Sequence, residues 1–350
     1  VTVLLTGFPE GFLAERLLEG LVARDPERPV LCVVPERLRE RAEALLDQLG
    51  RHEVELLEGD VTHMDLGLSG PEFEDLAARV EVLHHAAAVD HGGASPSALE
   101  RLHVNGTREV LELALSCRRL KRLVHWSTTL VAGDREGTVP EEALPRPRFR
   151  SPLEATRYAA ERLVHRHAHR VPTTVLRPST IVGDSRSGEV DRFDGPYLIL
   201  LLFLSSPPEL RLPLPAPPET PLYLVPIDHV VRAGLALGTD PRTVGEVLHI
   251  VDPAPPTVGD VFTAFARAAE RPEPRRVLPS QLATTVLRTP GLERYAHVPR
   301  AFLDQLVRSR RYADGRARPL LEEHGLRCPA FADYVEALVA HTKARLDAST

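Results

Sequence analysis

The chain has 350 residues, 43% of them apolar and 26% charged, which suits a globular protein with one large α/β domain or two modest ones. A formal net charge of −6 argues against a general nucleic-acid binder, which would carry a basic field. Three widely spaced cysteines (Cys32, Cys117 and Cys328) imply neither a disulfide framework nor a cysteine zinc site.

Val1-Thr2-Val3-Leu4-Leu5 opens directly as a strand, with no room for a signal peptide, so a cytoplasmic protein is expected. VTVLLTG (1–7) is followed by a helical pattern over 12–25, VLCVV (30–34) by one over 37–49, and VELLEG (54–59) by a loop and a helix over 71–80. EVLHHAA (81–87) precedes a long helical stretch over 96–117, RLVHWST (122–128) precedes another over 151–164, and TTVLRP (173–178) follows. Val- and Leu-rich strands without polar alternation fit a parallel sheet covered on both faces. The β-α alternation, repeated about six times, predicts an α/β doubly wound parallel sheet, a Rossmann fold.

After about residue 183 the pattern changes. A helix is expected near 195–204, a proline-rich stretch over 207–221 cannot be helical throughout, and a helix at 228–238, a strand at 246–251 and a helix at 258–270 follow. The reading is a dinucleotide-binding domain over 1–183 and a smaller substrate-binding region over 184–350, with helix 228–238 and strand 246–251 packing back on the first domain. The apolar run from Tyr197 to Leu204 is too short to span a bilayer. It would wall an acyl pocket or form a core helix, and the proline-rich chain after it would suit a moving lid.

Directly after the first strand stands Thr6-Gly7-Phe8-Pro9-Glu10-Gly11-Phe12-Leu13-Ala14. Strand, glycine turn and helix are the context of a phosphate-binding loop: Gly7 permits the turn, Gly11 lets backbone approach a pyrophosphate, and Ala14 allows close helix–strand packing. The alternative is a plain βα turn. At the end of the second strand, Glu36 comes late for a ribose-binding carboxylate and Arg37, Arg39 and Arg41 follow. Arginine there favours a ribose phosphate, hence NADP over NAD, unless these side chains form only a solvated helix face.

These pieces, with Gly59-Asp60-Val61, His85-Ala86-Ala87, Asn105-Gly106-Thr107, Ser127-Thr128-Thr129-Leu130-Val131-Ala132-Gly133, Leu176-Arg177-Pro178, Val182-Gly183-Asp184 and Pro226-Ile227-Asp228-His229-Val230, resemble the extended short-chain dehydrogenase/reductases, nearest the branch of fatty-acyl and thioester reductases. The resemblance covers most of the chain. It implies that Asp60 and Val61 flank an adenine, that Ala86 and Ala87 line the cofactor, that Asn105 is structural or relays protons, that Thr128 is the catalytic hydroxyl, and that Arg177-Pro178 precede the loop over the nicotinamide. It also implies a small-molecule acyl or polyketide-like substrate, possibly held on a carrier protein, and a homodimer. One departure is Glu10, an added residue between the first two glycine positions; its carboxylate would repel a pyrophosphate unless it points away.

The family's helix motif is Y-x-x-[ST]-K-x-x-A-E-x-L-V, and residues 151–164 read SPLEATRYAAERLV. Thr156 and the tail Ala160-Glu161-Arg162-Leu163-Val164 set a register in which Leu153 stands for Tyr and Arg157 for Lys. The rival register takes Tyr158 and Arg162 but breaks the tail, and Tyr158 lies about 140° round the helix from Leu153. In the family, Tyr exchanges a proton with the carbonyl oxygen while Lys holds the ribose and lowers the Tyr pKa. Leucine can do neither, and loss of a general acid costs about 10²–10⁴-fold. Arg157 could still hold ribose hydroxyls.

Other candidates are an acid–base pair of Asp90 and His91 near His85 (or simply exposed loop residues), and Thr128 and Thr129 as oxyanion donors (or hydroxyls satisfying backbone). Asp184, Arg186 and Asp191 would contact a polar substrate end or cap helices. His165, His167 and His169 read as a solvated face, with no metal expected. Three functional readings remain: a non-redox enzyme (lyase, isomerase or cyclase) on an acyl or polyketide-type substrate; an NADPH-dependent reductase of an aldehyde, ketone or thioester using another donor such as Tyr197, His91 or water; and a non-catalytic dinucleotide-binding scaffold or sensor, with the cofactor structural or absent in some of these.

Overall fold

Seven short runs of aliphatic residues form the central sheet: β1 (Thr2–Thr6), β2 (Val30–Val34), β3 (Glu55–Glu58), β4 (Val80–His85), β5 (Arg122–Trp126), β7 (Thr173–Pro178) and β10 (Val247–Ile250). They were traced in a computed structural model that describes residues 1–50, 54–89, 93–274, 306 and 310–348. All pairings are parallel, in the order β10-β7-β5-β4-β1-β2-β3. The inner strands are buried along their length, which is why they lack polar alternation, whereas edge strand β3 is partly exposed.

Alternate side chains feed two cores. Val3 and Leu5 join α1 (Phe12–Arg24), α2 (Arg39–Leu49), α8 (Ile227–Thr239) and α10 (Ala317–Glu323) on one face. Leu4 joins α3 (Gly70–Arg79), α5 (Gly106–Ser116) and α6 (Pro152–His167) on the other. The helix expected at 228–238 is α8, packed on α1, and the strand expected at 246–251 is β10, the edge partner of β7. A third core gathers α7 (Tyr197–Ser205), α9 (Val258–Ala268) and α11 (Phe331–Asp347) from the C-terminal region. Two small parallel pairs had no clear sequence signal: β8 (Thr180–Val182) with β9 (Leu224–Pro226), and β6 (Gly137–Val139) with β11 (Arg310–Tyr312).

Of the two alternatives for the apolar run from Tyr197, the structure has the core helix, buried on every side through Phe203, and within that run only Tyr197 reaches the cavity described below. One expectation needs correction: the stretch 96–117 is not one regular helix, for α4 (Pro96–Leu99) passes into a π-helical turn over Glu100–Asn105 before α5. That turn carries His103, which bonds Thr156 on α6 (2.9 Å) and accepts from the Val89 amide (3.1 Å).

Candidate active site

The strand order reverses between β1 and β4, which opens a crevice at their carboxyl ends. Gly7 and Ala86 meet there. Gly7 has φ +103°, and a Cβ on it would lie 2.8 Å from the Ala86 carbonyl carbon, so any other residue would collide with the β4 exit. The Glu10 and Gly11 amides both donate to the Gly7 carbonyl (3.1 Å each), closing the turn. Helix α1 then starts at Phe12 with Gly11 as its cap and no capping side chain. Its first-turn amides are therefore left for an anion, and Gly11, Phe12 and Leu13 line the crevice. The turn fits a dinucleotide pyrophosphate.

The added Glu10 has a partner. Its Oε1 accepts from Arg37 Nη1 (2.9 Å), an exposed pair at the end of β2 where a ribose would sit. The carboxylate is thereby compensated by the same guanidinium expected to favour NADP.

The crevice continues into one cavity of about 630 Å³, a size suited to a cofactor and substrate. Its floor is Ala86, the β5 exit from Trp126 to Leu130, and Pro178 to Ile181 after β7. Leu153 and Arg157 of α6 form one wall. Asp191, Tyr197, Tyr223, Arg310 and Tyr312 of the C-terminal region line the cavity as well. Thr128 accepts from the Leu130 amide (3.3 Å), leaving its O–H to donate, and Thr129 beside it is more deeply buried. Arg157 is 6% exposed and donates through Nη2 to the carbonyls of Trp126 (2.9 Å) and Ser127 (3.0 Å). These bonds bring a fixed positive charge up to the Thr128 strand end.

Tyr158 of the rival register faces elsewhere. It is 7% exposed, packs with Val131, Leu144 and Phe149, and donates its hydroxyl to the Leu144 carbonyl (3.0 Å). It is not a cavity residue, whereas Leu153 is.

One buried network went unnoticed in the sequence. Glu161, one turn beyond Arg157, is 2% exposed; it accepts from Ser127 Oγ and His165 Nε2 (3.2 Å) and is bridged by fully buried Arg177 through Nε (2.9 Å) and Nη2. Burial works to raise the Glu161 pKa, but the Arg177 charge and these hydrogen bonds outweigh it and hold the carboxyl well below the usual carboxylate range. The pair clamps α6 to β5 and β7 immediately behind Thr128 and Arg157. The sequence signal for it was the Ala-Glu-x-Leu-Val tail and the Arg-Pro dipeptide, neither of which reveals that the two side chains meet.

Several candidate residues lie away from the cavity. Thr6 bonds His85 (2.8 Å), which bonds Thr107 (2.9 Å); burial, with the Arg157 charge nearby, pushes the His85 pKa down to about 3, so this ring is a neutral interior link. Phe8 and Pro9 are buried, with Phe8 in the core. Asp60 accepts from the Thr62 amide and hydroxyl (2.8 Å each), Val61 packs in the core beside Ala87, and neither Asp60, Val61, Ala87 nor Arg37 lines the cavity. Asn105 accepts from Arg108 (3.0 Å) and does not line the cavity. Asp184 accepts from the Arg186 and Ser187 amides, shaping its own loop. Tyr197, which does line the cavity, accepts from the Gly183 amide (2.8 Å), and burial raises its pKa. Asp90 and His91 lie outside the described residues. Among the described residues no group of three or more His, Cys, Asp or Glu side chains could hold a metal ion, and no helix is long and apolar enough to cross a membrane.

A doubly wound sheet with a glycine turn after its first strand, and a cavity running from that turn to a strand-end threonine and the wall of α6, defines an enzyme of the extended short-chain dehydrogenase/reductase type with an NAD(P)-binding domain. The chain belongs to the NAD-binding family described as male sterility protein, whose model matches residues 5–234. It is 31% identical over 288 residues to glycine betaine reductase ATRR of Emericella nidulans, a match covering 75% of this chain and 22% of that protein. The terminal R domain from the myxalamid PKS-NRPS biosynthetic pathway superposes with a TM-score of 0.81 at 23% identity, covering 98% of this chain and 90% of that one. A thiolation-reductase di-domain from an archaeal non-ribosomal peptide synthetase superposes with a TM-score of 0.74 at 16% identity, covering 99% and 75%. The chain spans between 5 and 27% of the length of the first curated relatives it matches.

Proposed function

We propose that this chain is an NADPH-dependent reductase acting on a hydrophobic acyl thioester, presented on a carrier protein. The observation that carries the reading is the single cavity joining the uncapped start of α1 to Thr128 and Arg157. Gly11, Phe12 and Leu13 would hold the pyrophosphate and Pro178 the nicotinamide edge, while Arg37, outside the cavity lining but paired with its residue Glu10, would meet a ribose phosphate. When bound, the cofactor supplies hydride. Thr128 would donate its hydroxyl proton in a hydrogen bond to the substrate carbonyl oxygen, and the Arg157 charge would stabilise negative charge growing there. Leu130, Leu153, Ile181 and Leu222 offer apolar wall to an acyl chain. The reductase names among the relatives favour this reading over lyase, isomerase or cyclase chemistry, and the likeness to a thiolation-reductase di-domain favours carrier delivery.

Fluorescence titration with NADPH, followed by NADPH absorbance on adding an acyl thioester of N-acetylcysteamine, tests it. Binding and a cofactor-dependent release of thiol are expected. Thiol release or substrate rearrangement without cofactor would return the site to non-redox chemistry, and binding without turnover would make the protein a sensor.

A further inference from the structure

The carboxylates that line the cavity have cations of their own. Glu10 pairs with Arg37, and Asp191 and Asp194 flank Arg192 at 3.8 and 3.2 Å. Arg310 lines the same cavity, is 7% exposed, and has no carboxylate paired with it among the described residues. Its Nη2 donates to the Gly133 carbonyl (2.8 Å), which is a neutral acceptor. A guanidinium has five N–H donors and keeps its charge, so one carbonyl leaves most of its donors and all of its charge unanswered. Burying a charge without an opposite one is costly.

Tyr223 supplies a second donor beside it. Arg310 and Tyr312 stand two residues apart on β11 and share a face of the strand, whereas Arg311 between them is exposed. The Tyr312 amide donates to the Tyr223 oxygen (3.3 Å), and the two rings meet edge to face with centroids 4.9 Å apart. Tyr223 thus accepts through its oxygen and keeps its O–H to give into the cavity it lines. Burial raises its pKa, which holds that proton in place.

The subsite has a fixed place relative to Thr128. Gly133, which holds Arg310, closes the short 3₁₀ helix Thr129–Ala132 that Thr128 opens. At about 2 Å of rise per residue, the two ends lie about 10 Å apart. Leu130, between them in the chain, also lines the cavity. Resting on the reductase reading above, we infer that Arg310 and Tyr223 form an anion subsite, and that the substrate is an acyl thioester carrying a carboxylate at the far end of its chain. With the thioester carbonyl at Thr128, a span of about 10 Å suits an extended chain of about eight carbons, at about 3.5 Å for every three bonds. The apolar middle of the chain lies along Leu130, and a guanidinium matches the terminal carboxylate in shape as well as in charge.

Three thioesters of N-acetylcysteamine test it: octanoyl, its ω-carboxylate (the octanedioyl monothioester) and its ω-amine (ω-aminooctanoyl). The parent should use the carboxylate with a kcat/KM about tenfold or more above that of either other thioester, the worth of a charge-assisted hydrogen bond. In Arg310→Gln the carboxylate-to-octanoyl ratio should fall to near one, and in Arg310→Lys part of the way, because the charge stays and the planar fork is lost. A readout without turnover accompanies it. In calorimetric titration of the NADP-loaded protein, octanedioic acid monoamide should bind about tenfold or more tighter than octanamide, and Arg310→Gln should abolish the difference. Equal use of the three thioesters, or a carboxylate preference that survives Arg310→Gln, would overturn the inference and leave the reductase reading intact. So would a preference for octanoyl-phosphopantetheine over octanoyl-pantetheine that vanishes in Arg310→Gln, since Arg310 would then read the phosphate of a carrier arm. Monoamide binding through Arg310 without thiol release from any thioester would keep the subsite and remove the reductase reading. Should Arg310→Gln not fold, the preferences of the parent decide, together with their several-fold reduction in Tyr223→Phe.

Discussion

Replacing Glu161 by Gln keeps the shape of the side chain and removes its charge, so no cavity forms and the loss is electrostatic. Glu161 is 2% exposed and its partner Arg177 is fully buried. Two unit charges about 4 Å apart at an effective dielectric of about 20 attract by about 4 kcal/mol. Breaking a buried pair by removing one partner costs about 3–5 kcal/mol, because the other charge stays buried without compensation. The Glu142 carbonyl (2.9 Å) still accepts from Arg177, which places the expectation toward the lower end of that range. With a urea m-value of about 3 kcal/mol/M, the midpoint should fall by about 1 M at unchanged m. The pH dependence follows from the direction of the shift. The folded-state pKa of Glu161 is depressed, so its stabilisation is fully present above the unfolded value of about 4.3 and is lost as the pH falls below it toward the folded value. The gap between parent and variant should therefore be constant from about pH 8 to 5 and narrow below about pH 4. A loss under about 1 kcal/mol, or a gap that ignores acid, would refute the claim that this pair clamps α6 behind the site.

Gly7→Ala forces a Cβ to 2.8 Å from the Ala86 backbone at φ +103°; NADPH binding should be lost and the urea midpoint lowered by the equivalent of more than about 1 kcal/mol, and retained binding would mean the turn is not the phosphate site. Thr128→Val removes the hydroxyl proposed to meet the carbonyl oxygen and should lower kcat for thiol release by about 10²-fold with little change in the Kd for NADPH. Glu10→Gln opens the exposed pair with Arg37, so stability should move by less than about 0.5 kcal/mol. NADPH should nevertheless bind several-fold more tightly, while NADH gains less, and the difference should vanish in an Arg37→Gln background. Equal gains for both nucleotides would show that Glu10 acts on the pyrophosphate alone.

The reach and limits of the sequence are clearest on α6. Its capping Ser151, its Pro152 start and its apolar spacing announce a helix, and the Thr156 and Ala-Glu-x-Leu-Val landmarks set a register. Yet the same string contains Tyr158, and only the packing of that ring against Phe149 and Leu144 shows that it turns away from the cavity. On β4, His85 is a neutral link between Thr6 and Thr107, which the strand pattern did not show, because such a pattern does not report which polar side chains bond across to a neighbouring helix or strand.

Periodicity and turn chemistry, which act over a few residues, were enough to determine the alternating strands and helices and the glycine turn, while the resemblance to a family motif set the register that puts leucine at position 153 in the place of a phenol. What brings Glu161 to Arg177, Glu10 to Arg37, and Tyr223 and Arg310 to the same cavity as Leu153 is the folded arrangement alone. Arg310 reaches the cavity because β11 pairs with β6 some 170 residues earlier in the chain. Such contacts depend on how separate elements stack in space, and local sequence encodes the elements without encoding which of their side chains will face one another.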